Sequence, residues 1–277
     1  MAITRTAMTD DDGTGTTGTI INNAWKQELY NQIDATLLGA AGVTANYIHS
    51  TAVGTVNNLA CGSPSLQTVI LLENATPITL TGVQFSATPR LGDLLVIQGR
   101  GAQVSLPHIA GTSTHQFVNY VGSAPTPLTN GGTATYIWTN GYWCMCHHEQ
   151  GSWITPPFNA ADYFGINGLT WTVAAGDVRQ ARYRLSGRTL QWTLSVTGVI
   201  GGAASPYAMR NVFGGYSVRT LSAEDFTCAY PYADSLAVGT GYVQQYTTQL
   251  QFMKGLTTPA WGVGAIIIRA CGICEVT

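Results

Sequence analysis

The chain has 277 residues, of which 45% are hydrophobic and only 9% charged, with a formal net charge of −2. An average globular domain carries roughly 25% charged residues, so this surface must present mostly hydroxyls, amides and backbone, and much of it is expected to be covered by sister subunits. Without a basic excess phosphate neutralisation cannot drive binding, which excludes nucleic acid as a partner; no apolar run approaches the roughly 18 residues that cross a bilayer, which excludes membrane insertion by a helix.

The opening MAITRTAMTDDDG lacks the apolar core of a secretory signal, so synthesis and assembly are expected in a cytoplasm. Residues 1–18 are polar and rich in Gly and Thr, a composition that orders only against a partner. From Thr19 to Leu38 the pattern changes. Ile21, Trp25, Leu29, Ile33 and Leu37 recur every four residues among good helix formers, which predicts one amphipathic α-helix capped by Thr19 and stopped by Gly39 and Gly42. Its apolar stripe needs a surface to cover it. Either the chain's own β-domain or an assembly could do so, and docking with copies of itself or with a host particle is favoured. Residues 1–42 are therefore read as an arm and anchoring helix.

Beyond Val43 the period falls to two. Thr68–Leu72, Ile78–Leu80, Leu94–Ile97 and Thr133–Trp138 are short apolar runs bounded by Gly, Pro and Asn, which predicts successive strands. Leu169–Val173, Ala181–Leu185, Leu190–Val196, Gln249–Phe252 and Ala265–Ile268 continue the style, and Gly187 supplies the positive φ of a hairpin between two of them. Pro156 and Pro157 cannot donate to a strand ladder and mark a boundary. The expected fold is mainly β: an arm and single α-helix, then two β-sandwich or jelly-roll-like domains over residues 43–157 and 158–277. No period of 20 to 50 residues stands out, so a solenoid or propeller is not expected.

Chemistry is sparse. Six cysteines in a long chain without a secretory signal read as free thiols. Cys144, Cys146 and His147 invite a metal reading, but a C-x-C on a strand points its thiols to one face and the His to the other. Cys271 and Cys274 have workable spacing for a second ligand pair, yet sit at the last few residues. No metal and no cofactor are expected. The acidic turn at Asp10 to Gly15 lacks the closing Glu of a calcium loop. No G-x-S-x-G nucleophile turn is present, and His49, His108 and His115 read as loop hydrogen-bonders. Glycoside hydrolysis needs two carboxylates flanking a sugar, and Glu224 with Asp225 is the one local acidic pair in the C-terminal half. The chain is not expected to be an enzyme. Tyr207, Tyr216, Tyr230, Tyr232, Tyr242 and Trp261, among small residues, are candidates for receptor contact, with core packing as the alternative.

The stretch Asp10 to Asp34, with its DDDGTGTTGTIINNAWKQELYNQID sequence, resembles the N-terminal anchor of tailed-bacteriophage fibre-like and minor structural virion proteins. His148 to Asn159 is similar to the end of the middle domain in that group. Leu169–Val173, Asp177–Val178, Tyr183–Leu185 and Gly187–Leu190 are similar to the start of its C-terminal β-sandwich. The resemblance implies a virion protein: a tail fibre or spike subunit, trimeric, anchored on a portal, tail adaptor or capsid, with a distal domain for attachment to a host surface glycan or protein. The alternatives are a capsid decoration or cement protein, a head fibre without receptor binding, and a polysaccharide depolymerase.

Overall fold

The computed structural model describes residues 45–109, 115–122, 124–139, 141–219, 226–234, 238–246, 248–254 and 259–277. The expected arm and helix, with Ile21, Trp25, Leu29, Ile33 and Leu37, lie outside these residues, as do the acidic turn near Asp10 and the Glu224–Asp225 pair. Among the described residues there is no α-helix.

The predicted strands form, but the middle of the chain is a coil. β1 (Asn46–Ser50), β2 (Gly54–Val56) and β3 (Leu59–Ala60) make one turn. β4 (Gln67–Leu72), β5 (Ile78–Leu80) and β6 (Gly82–Gln84) make the next, and β7 (Leu94–Gly99) and β8 (Val104–Leu106) begin a third. Each strand pairs in parallel with the strand one turn on: β1 with β4 and β4 with β7 on one face, β2 with β5 and β5 with β8 on a second, β3 with β6 on a third. This is a β-solenoid. Like side chains stack inside it, Ile48 on Ile70 on Ile97 along the first face and Val56 on Leu80 along the second.

The chain then turns back. β9 (His115–Val118) lies antiparallel to β6, β10 (Thr126–Leu128) antiparallel to β8, and β11 (Thr133–Thr139) antiparallel to β7, so the three faces are revisited in reverse order. β12 (Tyr142–Glu149) forms a hairpin with β11 and also runs parallel to β9, joining two faces over the end of the coil. Asn119 pins the reversal and is buried: its Nδ2 donates to Leu106 O at 2.7 Å, its backbone N–H donates to His108 Nδ1 at 3.0 Å, and its Oδ1 accepts from the buried Tyr136 hydroxyl at 2.9 Å. The interior is filled by Phe85, Phe117, Tyr136, Trp138 and Trp143, with Trp138 edge-on to Trp143 at 5.2 Å. Burial of each such ring stabilises the coil by about 1.5–3 kcal/mol.

The distal part holds a second core. β15 (Val178–Ser186) and β14 (Leu169–Thr172) follow one another along one edge of β16 (Thr189–Gly202), and β21 (Gly264–Glu275) runs along the other. From β21 the sheet continues through β18 (Phe226–Ala233), β19 (Val238–Gln245), β20 (Gln249–Met253) and β17 (Ala208–Asn211) to β13 (Tyr163–Gly165). The β15–β16 hairpin turns at Gly187, whose φ is 56°, as the sequence predicts.

The expected sandwich or jelly-roll architecture of the middle segment therefore does not form. The middle segment coils, and the distal strands join it in one hydrogen-bonded sheet. Alternation alone does not separate the two architectures, because a solenoid strand and a sandwich strand each bury every second residue. The solenoid itself was hidden because Ile48, Ile70 and Ile97 recur at unequal intervals and the last circuit runs backwards.

Asn119→Ala orphans the Tyr136 hydroxyl and the Leu106 carbonyl, and is expected to cost about 1–3 kcal/mol of stability. Adding Tyr136→Phe should recover part of that loss, because the hydroxyl is then no longer buried without a partner. Thermal unfolding of both variants checks this; an unchanged midpoint for Asn119→Ala would contradict the role given to this residue.

Candidate binding groove at the domain junction

The end of β12 clasps the distal sheet. Gln150 is fully buried; its backbone N–H donates to Leu185 O at 3.1 Å while its side-chain Oε1 accepts from Leu185 N at 2.9 Å. Its Nε2 donates to Ser152 O at 2.8 Å. Gly132 lies so close that a Cβ there would stand 2.0 Å from Gln150 O, so only glycine fits. Glu149 receives Arg184 Nε at 2.8 Å, a second bond from Arg184 Nη2, and Ser186 Oγ at 2.9 Å. The Tyr216 hydroxyl donates back to Pro125 O at 3.1 Å. The two cores are thus bound by hydrogen bonds between named partners on both sides.

Immediately after the clasp, residues 155–159 form one wall of a groove. Pro156 and Pro157 hold this wall away from any ladder, since neither has an N–H to donate. β15 supplies Arg179, Gln180 and Arg182, β13 supplies Tyr163, and β17 supplies Arg210; the hollow is about 450 Å³. A second hollow of about 290 Å³ shares Pro156, Asp162 and Arg210 and reaches Phe213, Gly214 and Thr248. Phe158 stacks on Tyr163 with ring centroids 6.3 Å apart and remains 41% exposed, an apolar face open to a ligand. Arg182 lies over the Trp153 ring at 5.1 Å. Arg210 lies over the Phe213 ring at 3.6 Å and the Tyr163 ring at 5.3 Å.

Three of the chain's 12 basic residues therefore line one hollow, opposed by Asp162 as its one carboxylate. Asp162 is itself engaged: its Oδ1 accepts from Asn211 Nδ2 at 3.3 Å. In so sparsely charged a chain, this concentration of guanidinium and aromatic groups suits a polar ligand with an apolar face and negative charge.

The residues singled out from sequence fall elsewhere. Tyr216, Tyr230, Tyr232 and Trp261 are buried in the distal core, where Tyr230 donates to Met253 O at 3.0 Å; Tyr207 and Tyr242 are half-buried. These rings do not converge on the groove, apart from Tyr216, which lines the second hollow. Cys146 is exposed and Cys144 half-buried, its Sγ 2.8 Å from Thr139 Oγ1, and His147 is exposed on the same strand. Cys271 is exposed whereas Cys274 is buried, its thiol pushed up to about 12 by burial, so strand alternation puts them on opposite faces. Among the described residues no three His, Cys, Asp or Glu side chains gather as a metal site. His49 pairs with Glu73 at 2.8 Å, and the His115 ring packs edge-on to Trp138 at 4.9 Å.

No family model and no curated protein matches the sequence. Among solved structures, the chain is similar to the Dettilon tailspike protein (gp208), at 11% identity and a TM-score of 0.41, covering 83% of this chain and 46% of that one. The chain thus spans less than half the length of the tailspike chain it matches.

Acid should loosen the clasp in two stages. Burial of His148, whose Nε2 donates to Pro127 O at 3.0 Å, lowers its pKa below the usual 6.5, so its neutral form is built into the fold. Stability is then full above about pH 6.5 and falls as pH drops below it, because the unfolded chain takes the proton first. For Glu149, burial pushes the pKa up, but hydrogen bonds from Arg184 and Ser186 and the Arg184 charge outweigh it and lower the pKa below 4.5. Its contribution is held above pH 4.5 and lost as pH falls through the lowered value. His148→Gln should flatten the melting temperature between pH 7 and about 5, and Glu149→Gln should flatten it at lower pH. Equal acid sensitivity in wild type and both variants would contradict the assignment.

Proposed function

We propose that the chain is a structural protein of a bacteriophage particle, a fibre or spike subunit whose N-terminal segment anchors it and whose distal β-domain attaches to a host surface glycan. The supporting observation is the order of the elements along the chain. The chain enters the solenoid at β1, and the residues that line the groove follow the β12 clasp in sequence. Such an arrangement separates an anchor from a binding face by a stiff stalk, since each turn of a solenoid is braced by its neighbours.

Attachment without cleavage is the reading the groove favours. Hydrolysis by paired carboxylates needs two of them roughly 5–9.5 Å apart, whereas Asp162 is the one carboxylate lining either hollow among the described residues. In this reading three copies assemble on a portal, tail adaptor or capsid within the virion. Several weak sites per particle then yield avid attachment.

Adding the purified full-length chain to host cells before phage should slow adsorption in proportion to its concentration and release no reducing ends from envelope glycans. Undiminished adsorption, together with particles that become fragile when the protein is removed, would point to a cement protein instead.

A further inference from the structure

Two basic side chains among the described residues are buried, and they are treated differently. Lys254 has a carboxylate partner, Asp234, at 2.8 Å, and donates to Ala260 O at 3.1 Å. Arg210, 2% exposed, pairs with no carboxylate among the described residues. Its Nη1 donates to Asn211 O at 2.5 Å, and its buried Nε has no hydrogen-bond partner. Removing a guanidinium from water is costly unless it is paired, and cation–π contact with Phe213 and Tyr163 returns only part of that cost. The charge is left under-compensated in the partition between the two hollows.

A planar fork of donors matches a carboxylate in a two-point contact. Arg179 and Arg182 line the same hollow and add positive potential around it. Arg182 is oriented from below: with the Gln180 amide turned to donate to Thr193 Oγ1, its oxygen accepts from Arg182 Nε at 3.0 Å and Nη2 at 3.1 Å. Phe158, backed by the buried Tyr163 ring, offers an exposed ring face of the kind that stacks on sugar C–H bonds.

We infer that this groove binds an acidic saccharide, with the carboxylate of a hexuronate residue seated against Arg210 and its ring against Phe158. This identifies the ligand class of the attachment site proposed above and rests on that reading for its biological meaning. Arg210 is the specificity-determining residue, and Arg179 with Arg182 form the surrounding positive rim.

Calorimetric titration of the full chain at low salt with a galacturonic acid trimer and a glucose trimer tests it. The acidic trimer should bind at least about tenfold tighter, a difference of about 1.4 kcal/mol, and lose that preference as salt rises. Arg210→Gln should erase the preference. Should that variant fail to fold, Arg179→Gln with Arg182→Gln should still reduce it several-fold, and Arg210→Lys should weaken acidic-trimer binding while leaving the melting curve cooperative. Equal affinity for the two trimers, or an acidic preference unmoved by the rim variant, would overturn the inference. Tighter binding of a sugar phosphate than of the uronate would overturn the carboxylate assignment. Failure to bind either trimer by a chain that still blocks phage adsorption sinks the inference and spares attachment; arginine-dependent uronate binding by a chain that does not block adsorption does the reverse.

Discussion

A coil of parallel strands has no natural end, and the way this one is ended governs everything beyond it. An open last turn presents a row of unpaired N–H and C=O groups that would template pairing with other chains. Here the polypeptide reverses, revisits the three faces antiparallel to the strands beneath and closes with the β11–β12 hairpin. Asn119 is the fastener, because it bonds the end of β8 and the ring of Tyr136 on β11 from its own place at the end of β9. The direction of β12 follows from that reversal, and β12 delivers Glu149 and Gln150 to the distal sheet.

The groove is a by-product of this delivery. Once Gln150 has taken the place of a backbone partner for Leu185, the chain is still in register with β15 as far as Ile154, which bridges Tyr183. Two prolines then force it off the sheet. The gap they open is bordered by the outward side of β15 and the end of β17, and those strands bring the arginines. Site and clasp are consecutive in sequence, so a change that loosens one displaces the wall of the other.

Much of the secondary structure was legible and the architecture was not. Strands such as Ile78–Leu80 and the Gly187 hairpin follow from local alternation and turn chemistry, which need no knowledge of partners. Whether a strand meets its neighbour in parallel one turn on, or antiparallel across a hairpin, depends on contacts far along the chain that a single sequence does not display. The tyrosines were visible as a cluster, but burial depends on which face of each strand they occupy, and Tyr230 and Tyr232 share an inward face. The clue to the groove was present: Arg179, Arg182 and Arg210 in a chain with 12 basic residues, near Pro156 and Pro157. Composition counted those arginines, and only the fold shows that β15 and β17 bring them to one hollow.

In the proposed function the solenoid is a spacer whose first level faces the particle and whose clasped end carries the groove outward. An electron-microscopy map of the intact virion, with this subunit fitted by its coil, measures that polarity directly. The expected result places β1 to β3 against the particle and the hollow over Arg210 at the far, solvent-facing end. A map in which the groove is packed against the capsid or tail, or in which the coil lies flat on the shell, would contradict it.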